Sequence, residues 1–168
     1  MASAIFYASS TGNTESAAKA IRNELGGKQA LKLFNVADSG VERINEYDKI
    51  ILGTSTWGDG NLQDDWEEVF DEFKSLDFSN KIVAFFGLGD QEGYSDYYLD
   101  AMGILYEAVV AQGGNVIGSW LNEGYEFDES KAIVDDSFVG LALDDDNQSD
   151  LTEERITTWC SQIKDQIV

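Results

Sequence analysis

Short apolar runs alternate along this chain with longer stretches that have helical spacing. Five of the runs predict strands, at residues 3–8, 30–36, 49–54, 81–87 and 115–120. Several of them are apolar almost throughout, which is typical of parallel strands that are covered on both faces. The pattern therefore predicts a buried parallel sheet.

Apolar residues three and four positions apart form stripes outside those runs, and each stripe predicts one buried helix face. The last helix is predicted to begin at D-L-T-E-E, where a capping residue and acidic side chains suit the helix dipole. Strands that alternate with helices predict an α/β fold, a doubly wound parallel sheet of five strands with helices on both faces. The four stripes are Ala17, Ala18, Ile21 and Leu25; Trp66, Val69, Phe70 and Phe73; Met102, Leu105, Tyr106, Val109 and Val110; and Ile156, Trp159, Cys160, Ile163 and Ile167.

The regular pattern lapses after the fifth predicted strand. Residues 121–137 are polar and acidic, and residues 138–143 then have strand character again. The simplest interpretation is that the last strand lies at an edge and is interrupted by an insertion of about 20 residues. We expect residues 1–168 to form a single domain, because this length is usual for one domain.

The charge balance narrows the range of partners. The chain has 32 acidic and 11 basic residues and a net charge of −21. Nucleic acid and anionic membranes are poor partners for such a surface, whereas a basic protein is a good one. Solubility or salt adaptation would explain the same charge.

The remaining composition excludes several kinds of site. Histidine is absent and Cys160 is the only cysteine, so a histidine-based zinc site, a Ser-His-Asp triad and an internal disulfide are excluded. A lone cysteine fits a reducing compartment. No apolar run approaches the ~20 residues of a membrane span, and the N-terminal sequence lacks the basic segment of a signal peptide. We therefore expect a cytoplasmic protein without membrane insertion.

The segment S-S-T-G-N-T at residues 9–14 joins the first predicted strand to the first predicted helix. Its four hydroxyl groups, its amide and the backbone around Gly12 can all donate to one phosphate, and the helix dipole adds to this attraction. The segment has no lysine and matches neither G-x-x-x-x-G-K-[ST] nor G-x-G-x-x-G. A terminal phosphate monoester fits best, and the alternative is an ordinary strand-to-helix turn.

Two further loops follow predicted strands and contain aromatic residues. T-S-T-W-G-D-G-N-L (residues 54–62) contains Trp57, and G-L-G-D-Q-E-G-Y-S-D-Y-Y (residues 87–98) contains Tyr94. Doubly wound sheets bind ligands at these strand ends, so a flat aromatic ligand could stack on both rings. The alternative is that Trp57 is a core residue and Tyr94 an ordinary surface residue. Three loops that converge on one place favour binding.

These loops carry a resemblance to a known family. I-F-Y-A-S-S-T-G-N-T resembles the flavodoxin signature, in which an aromatic-rich strand runs into [ST]-x-T-G-x-T. T-W-G-D-G and G-L-G-D-Q-E-G-Y-S-D resemble the two isoalloxazine loops of flavodoxins, and the insertion before F-V-G-L-A-L resembles that of the long-chain branch. The resemblance covers essentially the whole chain and implies the flavodoxin-like strand order 2-1-3-4-5.

The resemblance implies non-covalently bound FMN, with its phosphate in the loop of residues 9–14. Trp57 would cover the inner face of the flavin and Tyr94 the outer face. Backbone of both aromatic loops, together with Asp90, would meet the polar edge of the ring, and Asp146 would approach the ribityl chain. The implied cofactor-binding set, with no catalytic residue and no metal ligand, is Ser9, Ser10, Thr11, Gly12, Asn13, Thr14, Ser55, Thr56, Trp57, Gly58, Asp59, Gly60, Leu88, Gly89, Asp90, Tyr94 and Asp146.

Two positions depart from the pattern of the family. Ser55 stands where many flavodoxins have proline, and Gly58-Asp59 stands where many long-chain members have a bulkier pair. Neither departure should abolish flavin binding, but both bear on the reduction potentials.

The implied function is that of a low-potential one-electron carrier and not of an enzyme, shuttling between redox proteins through the semiquinone and the hydroquinone. Glycine permits a peptide flip, so the Gly58 carbonyl could turn toward flavin N5 and stabilise the semiquinone. Full reduction would add a negative charge close to Asp90 in a chain of charge −21, which disfavours it. A strongly reducing second couple is therefore expected.

The partners implied by the resemblance are basic faces of ferredoxin–NADP reductase, photosystem I or nitrogenase, and we expect a monomer. One alternative is an FMN-dependent, quinone-type reductase of the same fold. The three loops hold no histidine, cysteine or lysine that could act as acid, base or nucleophile, which favours the carrier. A second alternative is a signalling receiver without flavin, but the first loop lacks the acidic pair that a receiver needs.

Overall fold

The computed structural model describes residues 3–168, and none of the helices within that range is long and apolar enough to cross a lipid bilayer. The strands are β1 (Ser3–Tyr7), β2 (Leu31–Asn35), β3 (Lys49–Trp57), β4 (Asn61–Leu62), β5 (Ile82–Leu88), β6 (Asn115–Val116), β7 (Trp120–Leu121), β8 (Ile133–Val134), β9 (Ser137–Phe138) and β10 (Leu141–Leu143). The α-helices are α1 (Asn13–Glu24), α2 (Val36–Ser39), α3 (Asp64–Phe73), α4 (Asp100–Ala111) and α5 (Thr152–Ile167).

The main sheet has the predicted parallel order. β1 lies between β2 and β3, with Ile5 beside Leu33 on one side and Ile51 on the other. β5 pairs with β3, and both β6 and β10 pair with β5 at the far edge. If the short hairpin strand β4 is set aside, β5 is the fourth strand of the sheet, and β6 and β10 together form the fifth. The order is then 2-1-3-4-5, so the predicted α/β fold is confirmed.

The edge strand is divided differently from the prediction. The run at residues 115–120 adds only β6 to the main sheet, because the chain turns at Gly118, where φ is +82° and the carbonyl accepts the indole N–H of Trp159 at 2.8 Å. Trp120 then pairs with Phe138 in a separate antiparallel sheet of order β7-β9-β8. The insertion is thus confirmed, while a continuous strand over 115–120 is wrong.

Alternate side chains of the strands enter two cores, one on each face of the sheet. Ile5 packs with α1 and α5 on one face, and Phe6 packs with α3 and α4 on the other. Near-continuous apolar strands are therefore required, because a polar residue on either face would enter a core.

The predicted helix stripes face the cores, although Val69, Phe70 and Tyr106 are only half-buried. All five predicted residues of the α5 stripe are buried, whereas Val110 of α4 is 48% exposed because it lies at the edge of that helix's buried face. The expected cap of the last helix is wrong: Leu151 occupies the N-cap position and no side chain caps it. The Thr152 hydroxyl instead donates to the Asp145 carboxylate.

Cys160 gives a prediction about reactivity. It is 2% exposed between α1 and α5, and burial raises the pKa of its thiol to about 12. Because the thiolate is the reactive form, we expect Ellman's reagent at pH 8 to react with the native protein at least ~100-fold more slowly than with urea-unfolded protein. Equal rates in the two conditions would contradict the buried placement of Cys160.

Candidate functional site

A cleft of about 320 Å³ opens at the carboxyl ends of β1, β3 and β5. This is where a doubly wound sheet offers room for a ligand, because the chain leaves neighbouring strands in opposite directions there. The cleft is lined by Thr11, Asn13, Thr14, Ser55, Thr56, Trp57, Gly58, Leu88, Gly89, Asp90, Tyr94, Asp145 and Asp146.

The N-terminus of α1 forms one end of the cleft. Gly12 is the N-cap residue with φ +94°, a left-handed conformation that glycine adopts without strain. Its N–H donates to the Ser9 hydroxyl at 3.0 Å, and no side chain caps the helix. The first intrahelical bond runs from the Ser16 N–H to the Gly12 carbonyl, so the N–H groups of the first turn point toward the cleft end. This end suits an anion.

Gln63 ties the first loop to α3. Its Nε2 donates to the Ser10 hydroxyl at 2.9 Å, while its Oε1 accepts the N–H groups of Asp65 and Trp66 and so caps α3. Gln63 is only 1% exposed. A buried amide with this many partners fixes the position of the first loop relative to α3.

Trp57 forms one wall of the cleft at the end of β3. The residue is 41% exposed, and its indole N–H donates to the Ser55 hydroxyl at 2.9 Å. The hydroxyl of Thr56 accepts the N–H of Ala101 at 3.0 Å and so joins the loop to the first turn of α4. Ser55 therefore helps to orient the indole.

The turn after Trp57 bends away from the cleft. Gly58 has φ +50° and Gly60 has φ +88°. A Cβ on Gly60 would lie 2.6 Å from Oδ2 of Asp100, so no larger residue fits there. Asp59 lines a different cavity, of about 520 Å³, between this turn and the insertion.

Tyr94 lies in the loop after β5 and is 51% exposed. Asp90 shapes this loop, since its Oδ1 accepts the N–H groups of Glu92 at 3.1 Å and Gly93 at 2.7 Å. The Tyr94 N–H donates to the Asp90 carbonyl at 3.0 Å. Trp57 and Tyr94 are two of the few large hydrophobic side chains that are exposed, and both line the same cleft. Such a pair suits a flat aromatic ligand.

The cleft is electrostatically negative near its mouth. The hydrogen bond from the Gly93 N–H, with help from Asn147, lowers the pKa of Asp90 and keeps it ionised. Partial desolvation and the charges of Asp90, Asp144 and Asp145 raise the pKa of Asp146. No lysine or arginine is among the residues that line the cleft. A negative charge added to a ligand here would therefore be disfavoured.

Of the seventeen residues implied by the resemblance, the structure brings twelve together as cleft lining. The other five lie beside it: Ser9 and Ser10 bond within the first loop and to Gln63, Gly12 caps α1, Asp59 faces the insertion and Gly60 faces Asp100 of α4. The twelve are Thr11, Asn13, Thr14, Ser55, Thr56, Trp57, Gly58, Leu88, Gly89, Asp90, Tyr94 and Asp146.

Sequence reasoning missed Asp145 as a lining residue. It belongs to the run D-D-D at residues 144–146, directly after β10, and this position at a strand end was the available signal. Across residues 3–168, no group of three or more cysteine, aspartate or glutamate side chains is arranged to hold a metal ion.

Comparison with known proteins gives one family. The family model described as flavodoxin matches residues 5–159. A flavodoxin of a Picosynechococcus species is 47% identical over 160 residues, covering 95% of this chain and 94% of the relative. The flavodoxin of Haemophilus influenzae is 43% identical over 164 residues, covering 97% and 94%.

A solved structure agrees with these relatives. The crystal structure of Fusobacterium nucleatum flavodoxin bound to flavin mononucleotide superposes with a TM-score of 0.93 at 34% identity, and the match covers 99% of each chain.

Proposed function

The chain belongs to the flavodoxin family, and from this premise we propose that it carries electrons one at a time on a non-covalently bound FMN. One observation carries the proposal: a single cleft has an uncapped helix N-terminus at one end and two exposed aromatic rings in its walls. A phosphate at the end of a flat ring system needs both features.

The residues present fit FMN without a cation. Thr11, Asn13 and Thr14, with the N–H groups of the first turn of α1, would hold the phosphate, and Trp57 and Tyr94 would contact the ring. When bound, FMN supplies the redox chemistry, which is transfer of single electrons.

The charged side chains of the cleft and the flexible backbone at Gly58 would both affect the reduction potentials of FMN. The carboxylates of Asp90, Asp145 and Asp146 disfavour a second negative charge in the cleft and so favour a low potential for the second electron. Gly58 has φ +50° and no side chain, so a turn of its peptide would meet little steric resistance from the residue itself.

A redox titration tests the proposal. We expect protein reconstituted with FMN to take up two electrons in separate one-electron waves, the second at a potential below that of free FMN, because the cleft carboxylates oppose added negative charge. Free FMN in the same buffer is the control. A single two-electron wave, or no binding of FMN, would contradict the proposed function.

A reductase of the same fold is the second candidate, but the cleft offers little acid–base chemistry. Apart from Tyr94, the titratable side chains that line the cleft are carboxylates. The membership of the family also supports a carrier, so we propose that the chain is not an enzyme. Steady turnover of a quinone with a nicotinamide as the sole electron donor would favour the reductase over the carrier.

The partners of the carrier are proposed from charge. A net charge of −21 should steer the monomer toward basic faces of redox proteins such as ferredoxin–NADP reductase, photosystem I or nitrogenase. The buried thiol of Cys160 fits the cytoplasm, where we propose the protein acts.

Electrostatic steering predicts a dependence on salt. We expect the rate constant of electron exchange with a basic redox partner to fall at least ~10-fold between 10 mM and 300 mM NaCl, because the Debye length shrinks from about 30 Å to below 8 Å. Stopped-flow mixing measures the rate, and a small neutral electron acceptor is the control. Rates with the basic partner that do not change with salt would remove steering as an explanation.

A further inference from the structure

Gln91 lies where three segments meet beside the cleft: the loop of Asp90 and Tyr94, the turn at residues 144–148, and the insertion. It is 2% exposed. Its Nε2 donates to Oδ2 of Asp144 at 2.7 Å and to Oε1 of Gln148 at 3.0 Å. Its Oε1 accepts the N–H of Glu126 in the insertion at 2.6 Å. One side chain thus bonds to both neighbouring segments.

The carboxylate of Asp144 holds Gln91 in place. Asp144 has no exposed surface, and its carboxylate accepts five hydrogen bonds, two from Gln91 and three from residues 146 and 147. All five donors are neutral N–H groups. A buried carboxylate held in this way has one strongly preferred position, because movement would leave a charge without partners.

Asn147 connects the hydrogen-bond network of Gln91 and Asp144 to the cleft. Its Nδ2 donates to Oδ2 of Asp144 at 2.9 Å and to Oδ1 of Asp90 at 2.8 Å. The same Asp90 oxygen holds the turn that leads to Tyr94. Displacement of this network would therefore move the wall of the cleft that carries Tyr94.

The insertion is attached at the same place by further bonds. Gln148 donates to the Gly124 carbonyl at 2.8 Å. The N–H groups of Asp128 and Glu129 donate to the Ser95 carbonyl, in the loop that follows Tyr94. The insertion and the Tyr94 wall thus share supports, and ordering one of them should order the other.

We propose that Gln91 is a positioning residue that couples occupancy of the flavin cleft to the order of the insertion. The inference rests on the proposed function, since FMN is the ligand that would contact the Tyr94 wall. The coupling is reciprocal. FMN binding orders the insertion and slows its hydrogen exchange. A partner that binds the insertion better when FMN is present raises the affinity for FMN by the same factor.

The first test replaces Gln91 by leucine, which is close in volume but forms no hydrogen bonds. We expect Gln91→Leu to bind FMN at least tenfold more weakly and to change the visible circular dichroism of the bound flavin, because the Tyr94 wall shifts. Gln112→Leu is the matched control. Gln112 also donates two hydrogen bonds, to the carbonyls of Phe73 and Leu76, but it lies at the end of α4 remote from the cleft. The control should lose stability and keep both FMN affinity and spectrum.

The second test needs no variant. Hydrogen exchange is measured on the wild-type protein with FMN removed and then restored. We expect exchange of the Glu126 amide to slow at least threefold when FMN binds, while the Phe78 amide, which donates to the Gln112 carbonyl at the end of α4 remote from the cleft, is unchanged. In Gln91→Leu the response of Glu126 should vanish.

The outcomes separate the inference from the function on which it rests. If wild-type protein binds no FMN, the proposed function fails. If it binds FMN but the Glu126 amide exchanges at the same rate with and without it, the coupling is wrong. If Gln91→Leu binds FMN as tightly as Gln112→Leu does, with an unchanged spectrum, Gln91 does not position the wall.

Discussion

FMN should bind this chain on the order of a thousandfold more tightly than riboflavin, because hydrogen bonds to a charged group contribute about 1.5–3 kcal/mol each and the first turn of α1 offers more than one. The two ligands share the ring and the ribityl chain and differ only in the phosphate. Quenching of flavin fluorescence on titration with the apoprotein measures both dissociation constants. Equal affinities would show that the loop at residues 9–14 is an ordinary turn.

A variant in this loop makes the comparison sharper. Thr14 is 2% exposed and lines the cleft, and valine has nearly its shape without the hydroxyl. We expect Thr14→Val to weaken FMN binding about tenfold, since one hydrogen bond to a charged group is lost, and to leave riboflavin binding unchanged. Thr157→Val on the exposed face of α5 is the control and should affect neither ligand.

Replacement of Asp144 by asparagine should destabilise the protein by about 3 kcal/mol or more. Five N–H groups donate to the two oxygens of this buried carboxylate, and an amide has only one oxygen to accept them. The amide NH₂ would face other donors in a place that water cannot reach. Urea unfolding of the apoprotein, followed by far-UV circular dichroism, measures the change in free energy of unfolding.

The neighbouring aspartate is the control for that substitution. Asp145 is half-buried and accepts one side-chain hydrogen bond, from Thr152. Asp145→Asn removes the same charge from the same turn and should cost less than about 1 kcal/mol, since only one neutral bond is weakened. Equal losses for the two variants would mean that charge alone matters and that the five bonds to Asp144 contribute little.

The parallel sheet could be predicted because it requires apolar residues on both faces of its strands, and this can be read from the sequence residue by residue. Strands covered on both faces must be apolar where they are covered, and the central residues of β1, β3 and β5 are. The α5 stripe was equally readable, because a helix that packs on one face buries every third and fourth residue. The division of the edge strand could not be predicted, since β6 has only two residues and β10 only three, and so short a sequence constrains strand pairing weakly.

The loops of the candidate site could be predicted as segments but not residue by residue. Trp57 and Tyr94 were indicated by their positions after strands, and the structure places both on one cleft. Asp59 and Gly60 belong to the same segment, yet the turn at Gly58 directs Asp59 toward the insertion and Gly60 toward Asp100 of α4. A segment that curves sends neighbouring side chains to different places, and its curvature depends on partners such as Asp100 that are distant in sequence.

The alternation of strands and helices, the lack of a cation in the first loop and the strongly negative charge can all be obtained from the sequence, because they are properties of single residues and of their spacing. Three contacts become visible only in the folded molecule: Gln63 anchors Ser10, Ser55 orients Trp57, and Gln91 joins the cleft to the insertion. Two of these three bonds join residues 53 and 35 positions apart. A buried amide finds its partners only after the chain has folded, since their relative positions are set by the packing of the whole molecule.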